Sequence, residues 1–166
     1  SLKMKFLYGD ILEAILINLA IAAGHKVEGR QDECSVEGIK GHRDCIIDGV
    51  LIDVKSASSF SFQKFKKGTL RSDDPFGYIR QLGGYLKAAQ DDPLVFEKKK
   101  AGFLVIDKTL GHITLDMHDL SPEVKDMEAY VGLRKLAVNG PSLPPRAFDD
   151  EPFQKSGNRK LPTPCS

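Results

Sequence analysis

Two apolar, β-branched runs flank Asp48-Gly49 within Gly41-His42-Arg43-Asp44-Cys45-Ile46-Ile47-Asp48-Gly49-Val50-Leu51-Ile52-Asp53-Val54-Lys55. Asp-Gly between such runs is the strongest short-range signal for a two-residue hairpin. That turn pairs Ile47 with Val50, and counting back sets Asp44 opposite Asp53 and His42 opposite Lys55. Strand side chains alternate, so Cys45, Ile47, Val50, Ile52 and Val54 form one face. The other face gathers His42, Asp44, Asp53 and Lys55.

The same patterning predicts the remaining elements. Met4 to Ala23 reads as a helix stopped by Gly24, apolar on nearly every side and therefore expected to be buried. Strands are expected near Lys26–Gln31 and Glu33–Glu37, before the hairpin. Residues 56–73 read as a polar, basic loop bearing phenylalanines. Asp74-Pro75 then offers an N-cap and a first helical position for a helix to about Gln90. Strands at Ala101–Asp107 and His112–Asp116 flank a Leu110-Gly111 turn, and Ser121-Pro122-Glu123 opens a helix to about Val138. Beyond Asn139-Gly140 the chain is proline-rich without periodicity, an extended tail over 141–166 after a domain at 4–140. This order predicts an α/β protein, a mixed central sheet flanked by helices.

Composition changes this picture little. With 166 residues, 41% hydrophobic and 28% charged, the chain is long enough for one well-filled core. The net charge of +1 hides clusters at Lys64, Lys66, Lys67 and Arg71 and at Lys98, Lys99 and Lys100. The second cluster reads as a solvated turn. Three cysteines (Cys34, Cys45, Cys165) cannot form a disulfide framework, which points to a reducing, cytoplasmic setting. The run Ile11–Ala23 is interrupted by Glu13 and Asn18, too short and polar for a membrane span, and no secretory signal is read.

Directly opposed carboxylates repel, so the Asp44/Asp53 pair calls for a cation. A hard divalent metal with oxygen ligands suits it, with Lys55 alongside. Glu13 stands among Leu16, Ile17, Ala14 and Ile15, and a carboxylate on such a surface needs a partner. Gln81 and Tyr85 share a helix face with Tyr78 one turn earlier. Gly83-Gly84, costing ~1 kcal/mol per glycine in a helix, points to a close approach there. Phe60, Phe62 and Phe65 interleave with Lys64, Lys66, Lys67 and Arg71. Such a stretch is either a grip for unpaired strands, with Phe62 as a stacking platform, or a lysine-rich loop whose phenylalanines belong to the core.

In their order, Glu13, Gly41-x-x-Asp44, Asp53-Val54-Lys55 and Gln81-x-x-x-Tyr85 resemble the PD-(D/E)XK nuclease superfamily. The nearest branch is its RecB-type and phage or CRISPR-associated exonucleases, which carry Gln-x-x-x-Tyr on a helix after the catalytic strand. The resemblance spans Tyr8 to Tyr85; Gly9-Asp10-Ile11-Leu12-Glu13 resembles that branch's first motif, with Glu where His often stands. It implies a restriction-endonuclease-like α-β-β-β-α-β core, metal-dependent phosphodiester hydrolysis and a DNA substrate, single-stranded or with free ends. By the same resemblance Glu13, Asp44, Asp53 and the Val54 carbonyl would hold Mg²⁺ or Mn²⁺. Lys55 would orient water or stabilise developing charge, and Gln81 and Tyr85 would position the strand. Many relatives bind an iron–sulfur cluster through C-terminal cysteines, but Cys165 alone cannot replace the roughly four thiolates needed. Alternatives are a non-catalytic nucleic-acid-binding module on this fold and a restriction-like endonuclease; a homo-oligomer stays open.

Overall fold

Asp48 and Gly49 both adopt left-handed backbone, with φ of 50° and 79°, the pair of positive values that a type I′ hairpin turn requires. The Asp48 carboxylate is fixed by His25 Nδ1 at 2.6 Å and by the Lys26 amide at 2.9 Å. The structure is a computed structural model describing residues 2–36, 39–139, 154–156 and 159–161. Its first elements are α1 (Leu2–Ala22), β1 (Val27–Glu28), β2 (Glu33–Val36), β3 (Ile39–His42), β4 (Cys45–Ile47) and β5 (Val50–Ala57). These are followed by α2 (Ser59–Lys66), a 3₁₀ turn (Leu70–Ser72), α3 (Tyr78–Ala88), β6 (Lys100–Asp107), β7 (Ile113–Asp119) and α4 (Ser121–Asn139). Two compact units, Ser1–Val131 and Gly132–Ser166, divide the chain. In the second, β8 (Gln154–Ser156) pairs antiparallel with β9 (Arg159–Leu161).

The first unit is α/β, built on a five-stranded mixed sheet of order β1-β4-β5-β6-β7 in which only β5 and β6 run parallel. The turn fixes the expected register, Ile47 opposite Val50 and Cys45 opposite Ile52. Cys45, Ile52, Val54 and Ile106 pack under Leu16 and Ile17 of α1. The opposite face is covered too, as Ile46, Leu51 and Phe103 pack against Phe62 and Phe65 of α2 and Ile79, Leu82 and Leu86 of α3. β5 is therefore buried on both sides. At Gly83 a Cβ would come within 2.6 Å of Glu123 Cβ, so the glycine admits α4 against α3.

Several expectations are corrected. α1 is not buried all round: Met4, Leu7, Tyr8, Ile11, Ile15 and Leu19 are exposed, because a helix on a sheet buries one face. An apolar groove of about 530 Å³ separates α1 from Ile113, Leu115 and Met117 on β7. The stretch 56–73 holds a helix, started by Ser58, whose Oγ accepts from the Ser61 amide at 3.3 Å, and anchored by Phe62 and Phe65. α3 begins at Tyr78, because left-handed Gly77 (φ 71°) interrupts the chain after Asp74-Pro75. Asp74 still caps it, accepting from the Tyr78 and Ile79 amides at 2.9 and 2.8 Å.

The strand expected over 41–47 breaks at Arg43-Asp44, so His42 pairs with Glu33 of β2 and not with Lys55. Arg43 is the cause: its buried guanidinium donates to Asp32 at 2.8 Å and to Asp92, pinning the backbone out of the ladder. Lys98 is not a solvated turn residue; its ammonium donates to the Ala89 and Asp92 carbonyls at 2.9 and 2.8 Å, closing α3. β8 and β9 fall inside the expected extended tail, while Cys165 lies outside the described residues. Among the described residues no helix is long and apolar enough to cross a membrane.

Phe62 is 1% exposed and Phe60 79%. Phe62→Ala is expected to cost ~3–5 kcal/mol of stability and Phe60→Ala under ~0.5 kcal/mol. Urea unfolding of both variants checks this; equal losses would remove α2 from the core.

Candidate active site

β4 stops at Cys45, opposite Ile52, while β5 runs on to Ala57. Residues of even number on β5 turn their amides to the β4 edge, so the Val54 and Ser56 amides are left without a strand partner there. Two carboxylates take them. Asp44 Oδ2 accepts from the Val54 amide at 2.8 Å, and Glu13 of α1 accepts from the Ser56 amide at 3.3 Å. Asp44 Oδ1 also accepts from Gln31 Nε2 at 3.3 Å. Glu13, Asp44 and Val54 line a cavity of about 350 Å³ together with Asp10, Arg30 and Gln31.

Asp53 and Lys55 point to the opposite face. Asp53 is 7% exposed, and its Oδ2 lies 2.6 Å from Lys55 Nζ. Beyond Lys55 that buried oxygen has no hydrogen-bond partner. Lys55 Nζ also stands 4.6 Å above the Tyr78 ring of α3. Burial, opposed by Lys55 and assisted by the charge of Asp44, pushes the Asp53 carboxyl up to about 7. Lys55 stays charged: burial works against its ammonium, but the facing Asp53 outweighs that and raises its pKa. Burial raises the Glu13 carboxyl too, the Ser56 amide pulls it down, and the Asp44 charge adds to the rise. Asp44 thus acts electrostatically on the carboxyls on either side of it.

Glu13, Asp44, Asp53 and Lys55 are accordingly brought to one stretch of β5, from three separate segments of chain. Among the described residues no three His, Cys, Asp or Glu side chains stand together in ligand geometry, since Glu13 and Asp44 face β5 amides and Asp53 faces Lys55. The residues nonetheless suit a hard cation: three carboxylates lie along β5, one Asp53 oxygen is buried with no hydrogen-bond partner beyond Lys55, and the Asp44 charge raises the proton affinity of Glu13 and Asp53. Gln81 donates from Nε2 to the Tyr85 hydroxyl at 3.0 Å. The Tyr85 ring lies against Gly41, where a Cβ would come within 3.0 Å of Cε1. Tyr78, Gln81 and Tyr85 follow one side of α3, and Tyr78 is the residue that reaches Lys55. His42 is exposed on β3.

The basic stretch divides. Phe62 belongs to the core, so the expected stacking platform at that position is corrected. Arg71 is tied to α4, donating to Glu123 and, at 2.8 Å, to the Asp119 carbonyl. Lys64 pairs with Asp73 at 2.6 Å, and Lys66 and Lys67 are exposed. The sequence reading missed Gln31, Arg30 and Asp10. Only Asp10 carried a signal, lying one helical turn before Glu13. Cys45 is buried, and burial pushes its thiol up to about 12, an inert state. Compared with known protein families and with curated proteins, the chain matches none.

Asp53 is raised from 3.8 to about 7 in the folded chain, so the folded state binds more protons than the unfolded between those values. Stability from this group is therefore present at low pH and falls as pH rises through that window. In EDTA, urea midpoints of the wild type should drop relative to Asp53→Asn between about pH 4 and pH 7. Parallel pH profiles would show that Asp53 ionises without cost.

Proposed function

We propose that the chain is a divalent-metal-dependent deoxyribonuclease, an exonuclease built on the PD-(D/E)XK plan. The observation that carries this reading is that Glu13 and Asp44 take the Ser56 and Val54 amides of β5, the Asp53–Lys55 pair lies on the same stretch of that strand, and the Asp44 charge bears on both other carboxyls. A phosphodiester is anionic and shields its phosphorus, so its hydrolysis needs cations on the phosphate and a water made more nucleophilic. Bound Mg²⁺ or Mn²⁺ would supply both. Glu13, Asp44 and Asp53 are the residues to hold it, with the Val54 carbonyl as a further oxygen donor.

Lys55 supplies an ammonium that Asp53 keeps protonated and Tyr78 keeps in place. Aimed at a phosphate, it stabilises the charge that builds on the non-bridging oxygens, or orients the attacking water. Gln81 and Tyr85 are already hydrogen-bonded to one another on the helix that carries Tyr78, and they position the strand.

With end-labelled DNA and Mg²⁺ or Mn²⁺, Asp53→Ala and Lys55→Gln should each slow cleavage by at least ~100-fold. Circular dichroism should show both folded. Wild-type turnover in either variant would overturn the assignment, and retained DNA binding without any wild-type cleavage would leave a binding module.

Millimolar Mn²⁺ should also raise the melting temperature, because a ligand bound only by the native state stabilises it. Glu13→Gln should shrink that rise. An undiminished shift would return Glu13 to the role of an ordinary helix residue.

A further inference from the structure

We propose that the cleft beside Lys55 grips a single strand of DNA: it seats a backbone phosphate while unpaired bases stack on Phe60 and Phe76. The proposal rests on the nuclease reading only in that Lys55 is shared with the candidate site. The cleft, about 240 Å³, lies between α2 and the segment leading to α3. Lys55, Lys64 and Lys108 bring three ammonium groups to it, and Ser58 and Ser61 bring hydroxyls. Asp53 pairs with Lys55 from outside the lining, and two carboxylates of the lining also oppose the cations. Asp74 uses both oxygens to cap α3, which leaves Asp73, paired with Lys64 at 2.6 Å, as the anion a phosphate would displace.

The rim carries two aromatic rings that packing does not require. Phe60 is 79% and Phe76 75% exposed, although α2 buries its other two phenylalanines. Phe76 stacks on Tyr78, centroids 5.4 Å apart at 30°, and the Tyr78 ring lies beneath Lys55 Nζ. A continuous stack therefore leads from the candidate catalytic ammonium to an open ring face. Lys64 Nζ stands 5.7 Å from the Phe60 centroid, which joins the second ring to the same cleft. Stacking on an exposed ring needs a base whose own face is uncovered, and cations beside aromatics are how single strands are held without sequence preference. A paired duplex offers no such face along its length.

The test is fluorescence anisotropy of a labelled oligo-dT of about 12 nucleotides, within the usual site size, against the full chain in EDTA, where nothing is cleaved. A blunt duplex is the second arm. Phe60→Ala and Phe76→Ala should each weaken oligo-dT binding by roughly 5- to 150-fold without lowering the melting temperature. Lys108→Ala should flatten the logarithmic salt slope by ~0.7. Asp73→Asn should act in the opposite direction and tighten binding, because it frees Lys64. Anisotropy is read in EDTA, where no cleavage occurs, and turnover is read with Mg²⁺, so the grip and the catalytic reading can each fail alone. Wild-type affinity in the Phe60→Ala/Phe76→Ala double variant would overturn the proposal. So would the absence of oligo-dT binding by the wild type, or equally tight duplex binding lost to the same substitutions.

Discussion

On β5, between two apolar clusters, Asp53 and Lys55 form an ion pair 2.6 Å apart. Taking both charges out of water costs several kcal/mol per ion, of the order that their attraction returns, and apolar residues of similar volume commonly do as well. Packing alone does not explain the pair. Neither charge is comfortably buried without the other, and that dependence organises what surrounds them. Tyr78 must reach over from α3 to cover the ammonium. Asp44 must come close enough to bear on Asp53, and β5 must continue past the end of β4 to leave room for it.

That last requirement is met by the break at Arg43. A strand running unbroken from Gly41 to Ile47 would have covered the Val54 and Ser56 amides with backbone carbonyls. Arg43, held by Asp32 and Asp92, turns the chain aside, and side-chain carboxylates take those two amides. The sheet thereby presents carboxylates where an ordinary edge would present a neighbouring strand. Glu13 enters from α1, so helix, loop and strand each contribute one acid, and the site exists only when all three are docked.

Much of this was legible locally. Asp48-Gly49 set the β4–β5 register, because its left-handed turn leaves the flanking strands no choice of pairing. Glu13 stood out as a carboxylate in an apolar helix, and Gly83 as the point of close approach. What stayed hidden depended on distant partners. The break at Arg43 needs Asp92, far along the chain. α1 is apolar all round, so its pattern could not say which side meets the sheet. α2 is short and serine-rich, so Phe62 and Phe65 resembled a loop's aromatics until the sheet gave them a surface to cover. Phe76 drew no notice because it fell in the first turn of the helix expected after Asp74-Pro75, where nothing local marks a ring as exposed.

Exposure of wild-type chain to linear and to covalently closed circular single-stranded DNA, each with Mg²⁺, Mn²⁺ or EDTA, tests the central claim most directly. A metal-dependent exonuclease degrades the linear strand in either metal, leaves the circle intact and is silent in EDTA. Degradation in EDTA, or none in either metal, would contradict the metal-centred reading of Glu13, Asp44, Asp53 and Lys55. Cutting of the circle would contradict the exonuclease assignment and favour an endonuclease on the same residues.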